Sequence, residues 1–210
     1  MKLKKYIPLI IIYIVTIIVV AVLAFNWTDI FNTSRKTADN TGSVDNIEMI
    51  TLAYEILEFI RDEDFIALGR VVHPDHGVIF SPYATVNLST DRHFEASQIT
   101  RLDTDTNVYV WGVYNGSGEP IELTPAEYLS HFVTAAEFLN TSVLGINEVV
   151  KSGNALENMT DIYPDMQFVD FHISRGEPGD ETNWCSLRLG FEDYHGVLRL
   201  IAIVYSSWTV

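Results

Sequence analysis

The sequence predicts an α+β domain, with N-terminal helices packed on one face of a curved antiparallel sheet, preceded by a single transmembrane helix. Three features of the chain lead there. Residues 6–25 carry no charge. After Asp45, apolar residues recur at three- and four-residue spacing, as on one side of a helix. The last third holds three long stretches of strand composition with no helix between them, which favours antiparallel pairing over an alternating parallel fold.

Tyr6 to Phe25 is dominated by Ile and Val, and at about 1.5 Å per helical residue it reaches roughly 30 Å, the thickness of a bilayer's hydrocarbon core. Lys2, Lys4 and Lys5 precede it and no basic residue follows before Arg35. Residues 1–5 are therefore expected to stay cytoplasmic while the rest is exported as a single-pass signal-anchor protein. Cleavage near Val22-Leu23-Ala24 is the alternative and gives a secreted domain, although a signal-peptide apolar core is usually about 7–15 residues long. Residues 26–44 are polar and aperiodic and read as a flexible stalk. That leaves 45–210 as one extracytoplasmic domain.

Asp45 is placed to cap a helix whose stripe is Ile47, Ile50, Tyr54, Leu57 and Ile60. Arg61-Asp62-Glu63-Asp64 interrupts it. A second helix carries Phe65, Leu68 and Val71 and stops near His73, because Pro74 disfavours helical geometry in the residue before it. Val78–Tyr83 and Val108–Tyr114 have strand composition, and Asn115-Gly116 is a turn signal. Thr124-Pro125-Ala126-Glu127 is a capping box with proline at the first helical position, opening a helix through Phe132 with a break at Thr134 and a further turn to Leu139. Met166–Ile173, Trp184–Glu192 and Val197–Ser206 are the longest strands. The last two flank Asp193-Tyr194-His195-Gly196 and should form a hairpin.

Beyond residue 25 the chain has 10 basic residues against 28 acidic ones, a net charge of −18, which repels nucleic acid and anionic lipid. Cys185 is the single cysteine, so no intramolecular disulfide supports the fold. It shares strand parity with Leu187, Leu189 and Phe191 and is expected in the core, inert.

The segments HPDHGVIFSPY (73–83), VWGVYNGSGEPIELTPAEYLSHF (110–132), GINEVVKSGNALENMTDIYP (145–164) and SLRLGFEDYHGVLRLIAIVYSSWTV (186–210) resemble the cystatin-like cone of the nuclear transport factor two superfamily, in a secreted form of Gram-positive bacteria. The resemblance implies a sheet wrapped around a pocket closed by the N-terminal helices. It leaves activity open, since enzymes, carriers and accessory domains share that cone. Enzymes of the superfamily place an Asp with a His or Tyr in the pocket, and no motif here matches such a pair.

Candidate chemistry is sparse. His73-Pro74-Asp75-His76 gathers two imidazoles and a carboxylate, but the proline prevents a helical ligand pair and a turn at Gly77 explains the segment as well. Asp103-Thr104-Asp105-Thr106-Asn107 begins like a calcium loop, yet Val108 and Tyr114 occupy the glycine and glutamate positions. Asp170 and His172 share a strand face, with Arg188 across from them. They are the strongest catalytic lead, weighed against a surface ion pair on the less buried face of the sheet, in which case His172 titrates as an ordinary histidine. Trp111, Tyr114, Trp184 and Trp208 are aromatic surfaces suited to the floor of an apolar pocket, and the same residues would serve as well in a core. The expected ligand pocket is therefore Trp111, Tyr114, Asp170, His172 and Trp184, with no catalytic residue, metal or cofactor assigned. The reading that follows is a membrane-tethered binding or accessory module for a peptide, a cell-wall component or a protein. Its alternative is a small-molecule enzyme or carrier using the cone interior.

Overall fold

The structure, a computed structural model, describes residues 46–141, 143–177 and 180–208. The predicted transmembrane span, the stalk and Asp45 lie outside them. Among the described residues no helix is long and apolar enough to cross a membrane. Glu48–Val210 form a compact unit of their own.

Helix α1 covers residues 46–61. Its buried stripe is Met49, Ala53, Ile56, Leu57 and Ile60, while Ile47 is 62% exposed and Ile50 and Tyr54 are half-buried. The predicted stripe is thus rotated. Both share Leu57 and Ile60, and packing decides between two faces that overlap on a period of 3.6. The tetrad after Ile60 ends the helix as expected, with Glu63 at φ 57°. Asp64 then accepts from the Ala67 N–H at 2.9 Å and caps α2, Phe65–Val71.

Among the described residues eight strands follow, β1 Val78–Ser81, β2 Arg92–Phe94, β3 Tyr109–Val113, β4 Pro120–Leu123, β5 Val143–Ile146, β6 Gln167–Ser174, β7 Trp184–Asp193 and β8 Leu198–Ser207. Six of them form one sheet in the order β2-β1-β8-β7-β6-β5, and β3 and β4 form a separate hairpin. The fold class is α+β, but the main sheet is mixed. β1 runs parallel to β8, with Ile79 opposite Ala202 and Phe80 opposite Ile203. Strand composition reports pairing tendency and carries no information about a partner more than a hundred residues away, so by itself it favours a wholly antiparallel sheet. The β7–β8 hairpin forms as predicted, through a two-residue turn with His195 at φ 57° and Gly196 at φ 83°, the primed geometry that matches strand twist.

Short helices α3 (Ala96–Ile99), α4 (Pro125–Tyr128), α5 (Ala135–Phe138) and α6 (Met159–Ile162) complete the domain. Thr124 and Glu127 make the reciprocal capping box with Pro125 at the helix start. After Tyr128 the chain widens into a π-helical turn, Leu129–Val133, and breaks at Thr134, whose φ and ψ are 38° and 47°.

Both faces of the sheet are covered. Val78, Phe80, Val169, Phe171, Leu187, Leu189, Leu200 and Ile203 belong to the larger core with α1, α2, α4 and α5. On the opposite face Ile79, Phe168, Ala202 and Val204 pack with Val86, Met159 and Met166, backed by Val149, Ile162 and Tyr163. Segment 147–165 therefore lies over the face expected to be the less buried one. Asp170, His172 and Arg188 are buried, which rules out the surface ion pair weighed for them.

Candidate functional site

The core on the helix side of the sheet is filled with rings. Trp111 stacks on Tyr128 at 3.9 Å between centroids and 11° between planes, and Phe80 meets Trp111, Tyr128 and Phe94 edge-on. The Trp111 indole donates to the Leu123 carbonyl at 2.8 Å, which satisfies its one polar atom. Cys185 lies in the same core, and burial pushes its thiol pKa up, away from nucleophilic chemistry. Of the expected pocket residues, Trp111 belongs to this core, Tyr114 is exposed beyond the end of β3, and Asp170, His172 and Trp184 lie together on the other side of the sheet.

On that side Arg188, fully buried, donates from Nε to Asp170 Oδ2 at 3.2 Å and from Nη2 to Glu157 Oε1 at 3.1 Å, with a second contact from Nη1 to Glu157. Asp170 Oδ2 also accepts from the Val150 N–H at 2.9 Å. The guanidinium thus ties segment 147–158 down onto the sheet, a role that needs its planar fork of donors. The adjacent imidazole of His172 sits between Ser186 Oγ and Ser174 Oγ, each at 3.0 Å. Burial holds its pKa below 6.5 even though Asp170 pulls the other way, and the predicted ordinary titration gives way to a depressed one. A serine beside a neutral imidazole is the start of a nucleophilic pair. Here the imidazole's second nitrogen meets a hydroxyl rather than a carboxylate, because Asp170 is engaged by Arg188.

His73, His76 and Glu192 bring three potential metal-ligand atoms within 4.8 Å of one another. Two features oppose a metal there. His73 Nδ1 accepts from the backbone N–H of Asp75 at 3.2 Å and of His76 at 3.0 Å, so the neutral ring carries its proton on Nε2, the atom that would have to ligate. The two imidazoles also stack face to face, 4.2 Å apart and 8° from parallel. A metal lies in the plane of each ring it binds, and parallel stacked rings share no such point. The cluster is better described as the clasp of the α2–β1 turn, with His76 Nδ1 2.9 Å from Glu192. In the Asp103–Asn107 run, Asp105 Oδ1 accepts from the Asn107 N–H at 3.0 Å and Oδ2 from the Tyr109 hydroxyl at 2.7 Å. That carboxylate shapes the approach to β3.

A cleft of about 400 Å³ lies at the helical end of the domain, where the end of α1 and the start of α2 face α4, the π-helical turn and α5. Ile60, Phe65, Leu102 and Leu129 supply its apolar lining, and Arg61, Glu63, Asp103, Ser130, Thr134 and Glu137 its polar one. Two of the non-glycine residues with positive φ, Glu63 and Thr134, line it. The π-helical wall and the left-handed Thr134 are both costly backbone choices, of the kind that persists at binding sites. The Thr134 hydroxyl is moreover buried without a partner among the described residues. No protein-family model, curated protein or solved structure matches this chain.

The cleft has no signature of its own in the sequence, although two of its parts do. The helix break at Thr134 and the interruption after Ile60 are both visible in the chain. Nothing local says that these two interruptions, more than seventy residues apart, face each other.

Proposed function

We propose that this protein is a non-catalytic binding or accessory module, held at the outer face of a membrane by residues 6–25, and that it takes its ligand at the helical cleft rather than inside the cone. The observation that carries this reading is the filled interior. Trp111 and Tyr128 stack inside the helix-side core, whereas the peripheral cleft is open and combines an apolar floor with polar groups, the composition of a ligand site. The cystatin-like, secreted character rests on the sequence resemblance, and a sheet with α1, α2, α4 and α5 on one face is the arrangement such a cone requires. The outward location rests on the charge asymmetry around the apolar span.

The test is a thermal-shift screen of the full chain in detergent micelles against peptides, cell-wall fragments and small metabolites. Stabilisation by a hit should vanish in Ala126→Trp, which fills the cleft from an exposed position on α4. Chemical turnover of a hit, or stabilisation that survives Ala126→Trp, overturns the reading. For the topology, a lysine-directed protease added to wall-stripped cells should degrade the domain while a cytosolic control survives, and complete protection counts against it.

A further inference from the structure

The charges around the cleft do not balance. Arg61 is engaged by Asp62 through two hydrogen bonds, Nε to Oδ1 at 2.7 Å and Nη2 to Oδ2 at 2.8 Å. Glu137 is engaged by Arg175. These are the cleft's one basic residue and one of its three acidic ones, and each already has an opposite charge. Glu63 and Asp103 have none. Among the described residues neither makes an ion pair, and neither side chain makes a hydrogen bond, so the cleft presents two uncompensated carboxylates beside an apolar floor of Ile60, Phe65, Leu102 and Leu129. Glu63 is moreover held in the left-handed region at φ 57°, where the break between α1 and α2 fixes its place.

We propose that the cleft binds a lysine-bearing peptide segment, its ammonium groups against Glu63 and Asp103 and its aliphatic stems on the apolar floor. This rests on the reading of the cleft as the ligand site and adds the chemical class of the ligand. Lysine suits the two halves of the lining, because its four-carbon stem covers apolar surface while its head stays at the rim. An anionic or phosphorylated segment meets two unpaired like charges and is rejected. A peptide fits better than a small amine because the cleft opens to solvent, which lets a chain enter and leave, and because two carboxylates and an apolar floor offer more than one point of contact. The strongly acidic surface of the whole domain attracts any cation weakly, so the assignment depends on position within the cleft rather than on net charge.

The experiment uses the full chain in detergent micelles and fluorescein-labelled tetrapeptides of sequence Leu-Lys-Leu-Lys, followed by fluorescence anisotropy. Matched probes carry Nε-acetyl-lysine or glutamate in place of lysine. The lysine probe should bind, and the Glu63→Gln/Asp103→Asn double variant should weaken it about tenfold, two partly exposed ion pairs' worth. Glu119→Gln/Glu122→Gln, which removes two exposed carboxylates elsewhere, should leave affinity within about twofold by the same reasoning. Ala136→Trp and Ala126→Trp, each checked for native circular dichroism, should abolish binding. If the acetyl-lysine probe binds as well as the lysine probe and both are lost in the tryptophan variants, the cleft is the site and the cationic class is wrong. If the lysine probe fails to bind, the class is likewise wrong. If binding survives both tryptophan variants, the cleft itself is wrong.

Discussion

Both faces of the six-stranded sheet are buried, and they are held in different ways. On the helix side, β6 and β7 contribute Val169, Phe171, Leu187 and Leu189 to an apolar core with stacked and edge-on aromatic rings. On the other side the same strands contribute Asp170, His172, Ser186 and Arg188, which are buried too. The first face is stabilised by area removed from water and tolerates any ring or aliphatic group that fills the space. The second joins an apolar cluster around Phe168, Ala202 and Val204 to a buried ion cluster in which Asp170 Oδ2 is paired and Oδ1 has no partner among the described residues, and a buried ion regains its lost hydration only through such pairing. Alternation along β6 and β7 therefore separates an apolar face from one that mixes buried polar and apolar groups, and does not separate inside from outside.

Substitution separates the two most sharply. Trp111→Ala, which hollows the apolar core, and Arg188→Ala, which leaves Asp170 and Glu157 without their cation, should each cost about 3–5 kcal/mol by chemical denaturation. The remedy differs. Replacing Asp170 and Glu157 by Leu in the Arg188→Met background should recover most of the loss, because an apolar cluster of similar volume removes the charges that need partners. Failure of that triple variant to recover would show that the ion cluster shapes segment 147–158 in a way apolar packing does not reproduce.

A smaller effect is expected from pH. His172 and His73 both have folded pKa values below the ordinary 6.5, chiefly through burial, with the stacked His76 also opposing charge on His73. Below about pH 6.5 the unfolded chain takes up protons that the folded chain refuses, so stability is complete above that pH and is lost as pH falls toward the depressed folded values. Urea midpoints measured between pH 7.5 and 5 should decline, and His172→Asn should flatten the decline. An unchanged slope in His172→Asn would remove His172 from the account and leave His73.

The smallest effect concerns the cleft. Thr134→Gly removes both a left-handed β-branched residue and a buried unpaired hydroxyl, and should stabilise the domain by about 0.5–1 kcal/mol. A loss of stability of that size would mean that the threonine methyl packs well enough to outweigh its backbone strain.

Features set by neighbours in the chain were legible without the structure. The Thr124–Glu127 capping box, the helix break at Thr134, the interruption after Ile60 and the turn between β7 and β8 each depend on side chains and dihedrals within about five residues, and each stands where the sequence puts it. What the sequence did not carry is what lies across from what. The parallel pairing of β1 with β8, the rotation of the α1 stripe away from Ile47, the burial of Asp170, His172 and Arg188 beneath residues 147–165, and the meeting of Glu63, Asp103 and Thr134 around one cleft all join segments distant along the chain. Local propensity is an energy of one segment with itself and with water. Burial and charge pairing are energies between segments, and only the packed chain determines which segments meet.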